Sequence, residues 1–157
     1  MVEVNSDAPS VKLKLVDQDR TNHDFELKDA YSKGSTVLYF FPAAFTGVCT
    51  KSSCELSNDL KQFSDMNTQI FGLSTDSPFT LKKFREENQL NYPLLSDWNR
   101  EAIKAFEIVD DNFAGGLKGV AKRSLFAIKN GKITFQWIAE TPGNYPPFEE
   151  LKSHLAQ

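Results

Sequence analysis

The sequence predicts a single α/β domain over residues 1–157, with a central mixed β-sheet, helices on both faces and an N-terminal β-hairpin. Three observations carry this. Strand-like runs alternate with helix-period patterns along the chain, as in layered α/β architectures. Asn130-Gly131 separates two strand-like runs and is a strong hairpin turn, so the sheet has an antiparallel end. The 157 residues contain no linker, repeat or low-complexity segment, and they suffice for one hydrophobic core, to which thirteen Phe residues supply bulk.

Each element has its own local reason. Val11 to Val16 alternates apolar and polar, as a half-buried strand does. Asp17 to Arg20 is its turn, and His23 to Leu27 the return strand. Thr36 to Phe41 is the most apolar run and the best candidate for a fully buried strand. From Cys49 a helix is predicted to about Phe63, with Leu56, Leu60 and Phe63 on one face. Gln69 to Ser74 is a further strand. Ser77-Pro78 opens a helix that fades near Asn88, because Ser caps and Pro suits a first turn. Pro93 to Leu95 is a short extended piece, and Arg100 to Phe106 is helical. Ser124 to Lys129 and Lys132 to Ala139 form the second hairpin, and Pro147 starts a last helix carrying Phe148, Leu151 and Leu155. This order is compatible with a thioredoxin-like architecture.

A formal net charge of -3 argues against a nucleic-acid partner, which would call for a basic patch. No apolar run reaches membrane-spanning length. The first residues lack the basic start and apolar stretch of a signal peptide, so the expectation is a cytoplasmic protein. In that compartment a cysteine pair is more often catalytic or metal-binding than a structural staple. Two cysteines and two scattered histidines, His23 and His154, make no zinc ligand cluster, and the histidines read as solvent residues. Asp110-Asp111 and Gly115-Gly116 read as a solvated connection, and Lys82-Lys83 as the wet face of a helix.

Function concentrates in Phe41-Pro42-Ala43-Ala44-Phe45-Thr46-Gly47-Val48-Cys49-Thr50-Lys51-Ser52-Ser53-Cys54. Cys49 stands where a buried strand hands over to a helix, and unpaired backbone N–H groups and the helix macrodipole there favour an anion. That arrangement suits a thiolate. On an ideal helix Cys49 lies in line with Leu56, Leu60 and Phe63, whereas Cys54 falls on the opposite side with Asn58, Lys61 and Asp65. Five helical residues separate the two Cα atoms by about 8–9 Å. A disulfide requires less than about 7 Å, so a bond between them requires the helix to unwind. An inert buried Cys49 and a bystander Cys54 remain alternatives.

The chain resembles the peroxiredoxins over nearly its whole length. The spacing Pro42, Thr46, Cys49 is similar to the active-site signature of that family, and Asp7-Ala8-Pro9, Gly72 to Ser77, Tyr92 to Asp97, Lys122 to Ile128 and Phe135 to Ile138 resemble further family segments. The Cys49 to Cys54 spacing is similar to the Q type, also called bacterioferritin comigratory protein. Phe45-Thr46-Gly47-Val48-Cys49 and the Trp137 segment look like the one-cysteine AhpE type. The resemblance implies a thiol peroxidase acting on hydrogen peroxide and alkyl hydroperoxides, with Cys49 as nucleophile, Cys54 as resolving cysteine and a thioredoxin-like or other dithiol reductant as partner. It implies that Thr46 accepts from the peroxide while donating to sulfur, that Arg123 and the Cys49 N–H stabilise charge on the departing oxygen, and that Pro42 walls out water. It implies no metal, no organic cofactor, no nucleic-acid or membrane partner, and a monomer or homodimer. One departure stands out: many members carry a Glu three residues after the reactive cysteine, where it orients the arginine. Ser52 stands there, read as a surface residue without a role. Competing readings are a one-cysteine peroxidase, a general thiol–disulfide oxidoreductase and a non-enzymatic holdase.

Overall fold

The computed structural model of the chain describes residues 2–157. Lys12–Val16 (β1) and His23–Glu26 (β2) form the N-terminal hairpin, with Leu13 and Leu15 turned inward. A short helix, Leu27–Tyr31 (α1), follows at once, where the sequence suggested the end of a strand. Its buried Leu27, Ala30 and Tyr31 explain it, since the return strand stops where the chain turns back onto the sheet. Ser35–Phe40 (β3) is the central strand. Gly47–Asn58 (α2) and Leu60–Asp65 (α3) replace the single predicted helix to Phe63, broken at Asp59. Leu56 and Phe63 are both buried, so the apolar pattern is satisfied by two helices in place of one.

Thr68–Ser74 (β4) runs parallel to β3. Pro78–Glu87 (α4) begins as expected, with Ser77 Oγ accepting from the Thr80 N–H. Leu94–Ser96 (β5) is a true strand parallel to β4 and antiparallel to β1. After Glu101–Ala105 (α5), the predicted solvated connection proves partly structured. Val109–Asp110 (β6) pairs with Val120–Ala121 (β7), and the Asp110 and Asp111 carboxylates accept from loop N–H groups. Ser124–Lys129 (β8) and Lys132–Ile138 (β9) form the second hairpin, and Phe148–Leu155 (α6) closes the chain.

The seven-stranded sheet has the order β2-β1-β5-β4-β3-β8-β9 and is mixed, as the sequence predicts. Strand β3 lies between parallel β4 and antiparallel β8 and is buried on both faces. Leu38 and Phe40 join one core with Phe106 and Phe126, whereas Val37, Tyr39 and Phe41 join a second with Cys49, Leu56, Leu81 and Phe148. The period of two in β3 therefore decides which residues see α2. Gly72, opposite Tyr39 on β4, shows how tight this side is: a Cβ there would stand 2.7 Å from Leu94 Cδ2 and 3.2 Å from Tyr92 Cε2. Gly72→Ala is expected to cost about 1–3 kcal/mol, read as a lower urea midpoint at unchanged slope.

Candidate active site

The reactive segment is built at the end of β3. Pro42 to Thr46 form the connection, with Phe45 in a left-handed conformation at φ 67° and its ring edge-on to Phe84. The Ala44 N–H donates to Asp76 Oδ2, which also accepts from Ser74 Oγ, so the end of β4 holds the loop in place. Thr46 is the N-cap residue of α2, and its carbonyl accepts the first helical bond from Thr50 N–H at 2.9 Å. Cys49 thus lies in the first turn of α2, where N–H groups lack intrahelical partners.

Arg123 immediately precedes β8 and follows its alternation onto the face of Leu125 and Ala127, the face of Tyr39. It is 2% exposed. Its Nη1 donates to Cys49 Sγ at 3.2 Å and to Tyr39 Oη at 2.8 Å. On the other side Nε and Nη2 both donate to the Pro142 carbonyl, at 3.3 and 3.0 Å. Burial works against the charge, yet attraction to Tyr39 and Cys49 holds the guanidinium pKa above its ordinary value. Burial pushes the Tyr39 phenol up to about 12, so it is neutral at physiological pH. Ser52 is fully buried, with Oγ 2.5 Å from Tyr39 Oη, and it donates to the Val48 carbonyl at 2.7 Å. Pro42 and Arg123 border a cavity of about 80 Å³ together with Lys122, Ala139, Glu140 and Thr141. A single water needs only roughly 10–15 Å³.

The sequence-derived residues divide accordingly. Arg123 Nη1 meets Cys49 Sγ, and Pro42 lines the cavity beside Arg123. Thr46 lies at the helix start, but its hydroxyl donates to the Ala43 carbonyl at 2.8 Å rather than to sulfur, because the loop folds back within its reach. Its oxygen lone pair is thereby left to accept. Cys54 does not face open solvent. It is half-buried against the second core, with Sγ 3.9 Å from Asn88 Oδ1, because residues 88–92 cross that side of α2. That segment is fastened by Tyr92 Oη to the Ser53 carbonyl and by Asn91 N–H to Ser57 Oγ. Ser52 is not a surface residue. Tyr39 and Asp76 escaped the sequence reading. His23 is exposed on the edge strand β2, and His154 pairs with Thr134 Oγ1 at 3.0 Å on α6. Both cysteines are free thiols, and no helix among the described residues is long and apolar enough to cross a membrane.

The AhpC/TSA family model matches residues 4–136. The putative peroxiredoxin Rv1608c of Mycobacterium tuberculosis is 39% identical over 121 residues, covering 77% of each chain. The mitochondrial thioredoxin-dependent peroxide reductase of Drosophila melanogaster is 32% identical over 143 residues, 87% of this chain and 58% of the relative. Among solved structures, peroxidoxin BcpB from Mycobacterium tuberculosis superposes with a TM-score of 0.83 at 27% identity, over 99% of this chain and 97% of the other. With a family model spanning most of its length and a thioredoxin-like sheet around a buried cysteine and arginine, the chain belongs to the AhpC/TSA family of peroxiredoxins.

Proposed function

We propose that this peroxiredoxin reduces hydrogen peroxide and alkyl hydroperoxides with Cys49 as the peroxidatic nucleophile. The observation that carries the reading is that Arg123 Nη1 donates to Cys49 Sγ at 3.2 Å, with both residues buried. The thiolate is the nucleophilic form, and both the Arg123 guanidinium and the start of α2 stand beside the sulfur. Sulfur attacks the terminal peroxide oxygen. An S–O bond forms, the O–O bond breaks, and the alcohol or water leaves after taking up a proton. Arg123 and backbone N–H groups at the start of α2 stabilise charge on the departing oxygen, as a preformed oxyanion site does. Thr46, its proton engaged by Ala43, accepts from the peroxide hydroxyl, and Pro42 offers no N–H and walls the pocket.

Cys49 is left as a sulfenic acid. Attack by the Cys54 thiol then forms the Cys49–Cys54 disulfide and releases water. A thioredoxin-like dithiol reduces that disulfide, by analogy with the thioredoxin-dependent relative, in a cytoplasmic setting. Because both cysteines lie on α2, disulfide formation requires the helix to open between them. The bonds from Tyr92 to Ser53 and from Tyr145 Oη to Glu55 Oε1 at 2.7 Å are among those that must yield.

One specific observation favours the one-cysteine mode instead: Cys54 is half-buried and held on an ordered helix. Mass spectrometry after one equivalent of peroxide separates the two. A loss of two hydrogens within one chain marks the Cys49–Cys54 disulfide, whereas a lasting gain of one oxygen or a linked dimer marks the alternative. Cys54→Ser is expected to leave the first peroxide reaction within about twofold and to lower thioredoxin-supported turnover by about tenfold or more, since only the second step uses this thiol. Unchanged turnover assigns Cys54 no part. A general disulfide oxidoreductase is disfavoured because Cys49, buried while α2 is intact, is not presented to a protein disulfide.

A further inference from the structure

We propose that Tyr39 and Ser52 are positioning residues, a neutral hydrogen-bond relay that fixes the Arg123 guanidinium on Cys49 without a carboxylate. The inference rests on the reading of Cys49 as the peroxidatic nucleophile.

The direction of every proton in the relay follows from chemistry. A guanidinium only donates, so Tyr39 Oη must accept from Arg123 Nη1 at 2.8 Å. The single phenolic proton then has one partner, Ser52 Oγ at 2.5 Å. Ser52 in turn donates to the Val48 carbonyl at 2.7 Å, in the turn that carries Cys49. The chain Arg123, Tyr39, Ser52, Val48 is therefore polarised one way, and its end lies one residue from the nucleophile. Buried groups so fully satisfied define one geometry.

Tyr39 suits this task. It sits mid-strand between β4 and β8, fully buried, and its ring meets Phe41 at 5.7 Å and Phe148 edge-on at 6.1 Å. Ser52 is also fully buried, on the turn after Cys49. The remaining Arg123 bonds go to the Pro142 carbonyl and Cys49, and none goes to a carboxylate among the described residues. A carboxylate in this place would share the positive charge; a phenol and a hydroxyl orient it and leave it facing sulfur. The relay also links two events. Opening α2 for disulfide formation breaks the Ser52–Val48 bond and so releases the arginine from its oxidised partner.

The test is the pH dependence of the first peroxide reaction, followed by stopped-flow with wild type, Tyr39→Phe, Ser52→Ala, Ser52→Thr and the double variant Tyr39→Phe/Ser52→Ala. Tyr39→Phe keeps the ring and removes one acceptor from a buried cation. The rate at neutral pH is expected to fall about tenfold, with the pH profile displaced to higher pH. Ser52→Ala should move both in the same direction by less, Ser52→Thr should restore them, and the double variant should be no worse than Tyr39→Phe alone, because Ser52 acts through Tyr39. Asp110, Lys122 and Glu140, which line the cavity beside Arg123, are unchanged in every variant. A purely structural role would lower the melting temperature and leave the profile in place. Wild-type rate and profile in Tyr39→Phe overturn the relay, as do strictly additive effects of the two substitutions. If Tyr39→Phe does not fold, the contrast of Ser52→Ala with Ser52→Thr decides: equal profiles reject the relay. Peroxide reduction that survives in Cys49→Ser would instead reject the underlying reading of the nucleophile.

Discussion

Cys49→Ser is expected to abolish rapid peroxide consumption while the protein stays folded. The side chain is fully buried in the second core, and oxygen for sulfur changes the volume little. Arg123 Nη1 keeps an acceptor in the hydroxyl, so no buried cation is stranded. What is lost is the nucleophile. A serine hydroxyl is a far weaker acid than a thiol and needs an adjacent general base to react. Among the described residues none is hydrogen-bonded to it: the groups in reach are an arginine, which cannot take a proton, and a neutral tyrosine. A fall of at least about 10³-fold in the peroxide rate constant is expected, with a melting temperature near that of wild type. Stopped-flow peroxide depletion with stoichiometric protein measures it directly. Consumption at the wild-type rate would remove Cys49 from the chemistry. Loss of rate together with loss of cooperative unfolding would point to misfolding, which the melting curve reveals.

The parts of the site legible in the sequence are those encoded locally. Pro42, Thr46 and Cys49 lie within eight residues, between a run that must end as a strand and a pattern that must begin as a helix. Their mutual placement depends mostly on that junction. Arg123 was legible only through the resemblance of Lys122 to Ile128 to the arginine-bearing strand of the peroxiredoxins; the alternation that carries it to the face of Leu125 is a fact of the fold. Tyr39 was not, because in a strand buried on both faces an aromatic residue reads as core, and only the β3–β8 register brings its hydroxyl to the guanidinium. Ser52 was misread for a related reason. A small polar residue on a helix reads as solvent-facing until a strand tyrosine is seen beneath it. Cys54 sat on the polar side of the helical wheel, yet the 88–92 segment covers it, a contact made across more than thirty residues. The break at Asp59 was equally hidden, because Lys152 Nζ reaches Asp59 Oδ2 at 2.6 Å from the last helix. Periodicity describes one element at a time and is silent about which other element arrives to cover it.

Arg123→Lys should be the second most damaging substitution, although it preserves formal charge at neutral pH. The guanidinium fork spans the site: Nη1 serves Cys49 and Tyr39 while Nε and Nη2 grip the Pro142 carbonyl. An ammonium is a single point of charge and cannot occupy both ends of that span. Either it approaches sulfur and abandons Pro142, or it stays near Pro142 and leaves the thiolate and Tyr39 without a donor. Two opposite unit charges about 4 Å apart interact by about 4 kcal/mol at an effective dielectric of about 20, which sets the order of the loss. Removal of one donor from a comparable oxyanion site costs about 10²–10³-fold in rate, or roughly 3–4 kcal/mol, and a fall of that size is expected in the first peroxide reaction. The alkaline limb gives a sharper signature. Arginine stays charged across the usable pH range, whereas burial disfavours a lysine's charged form and lowers its pKa. The residual activity of Arg123→Lys should therefore decline as pH rises through the lysine's titration, while the wild-type rate holds steady there. A lysine variant within about twofold of wild type at neutral pH, with no alkaline decline, would show that charge alone suffices and that the fork geometry around Cys49 has no part in the reaction.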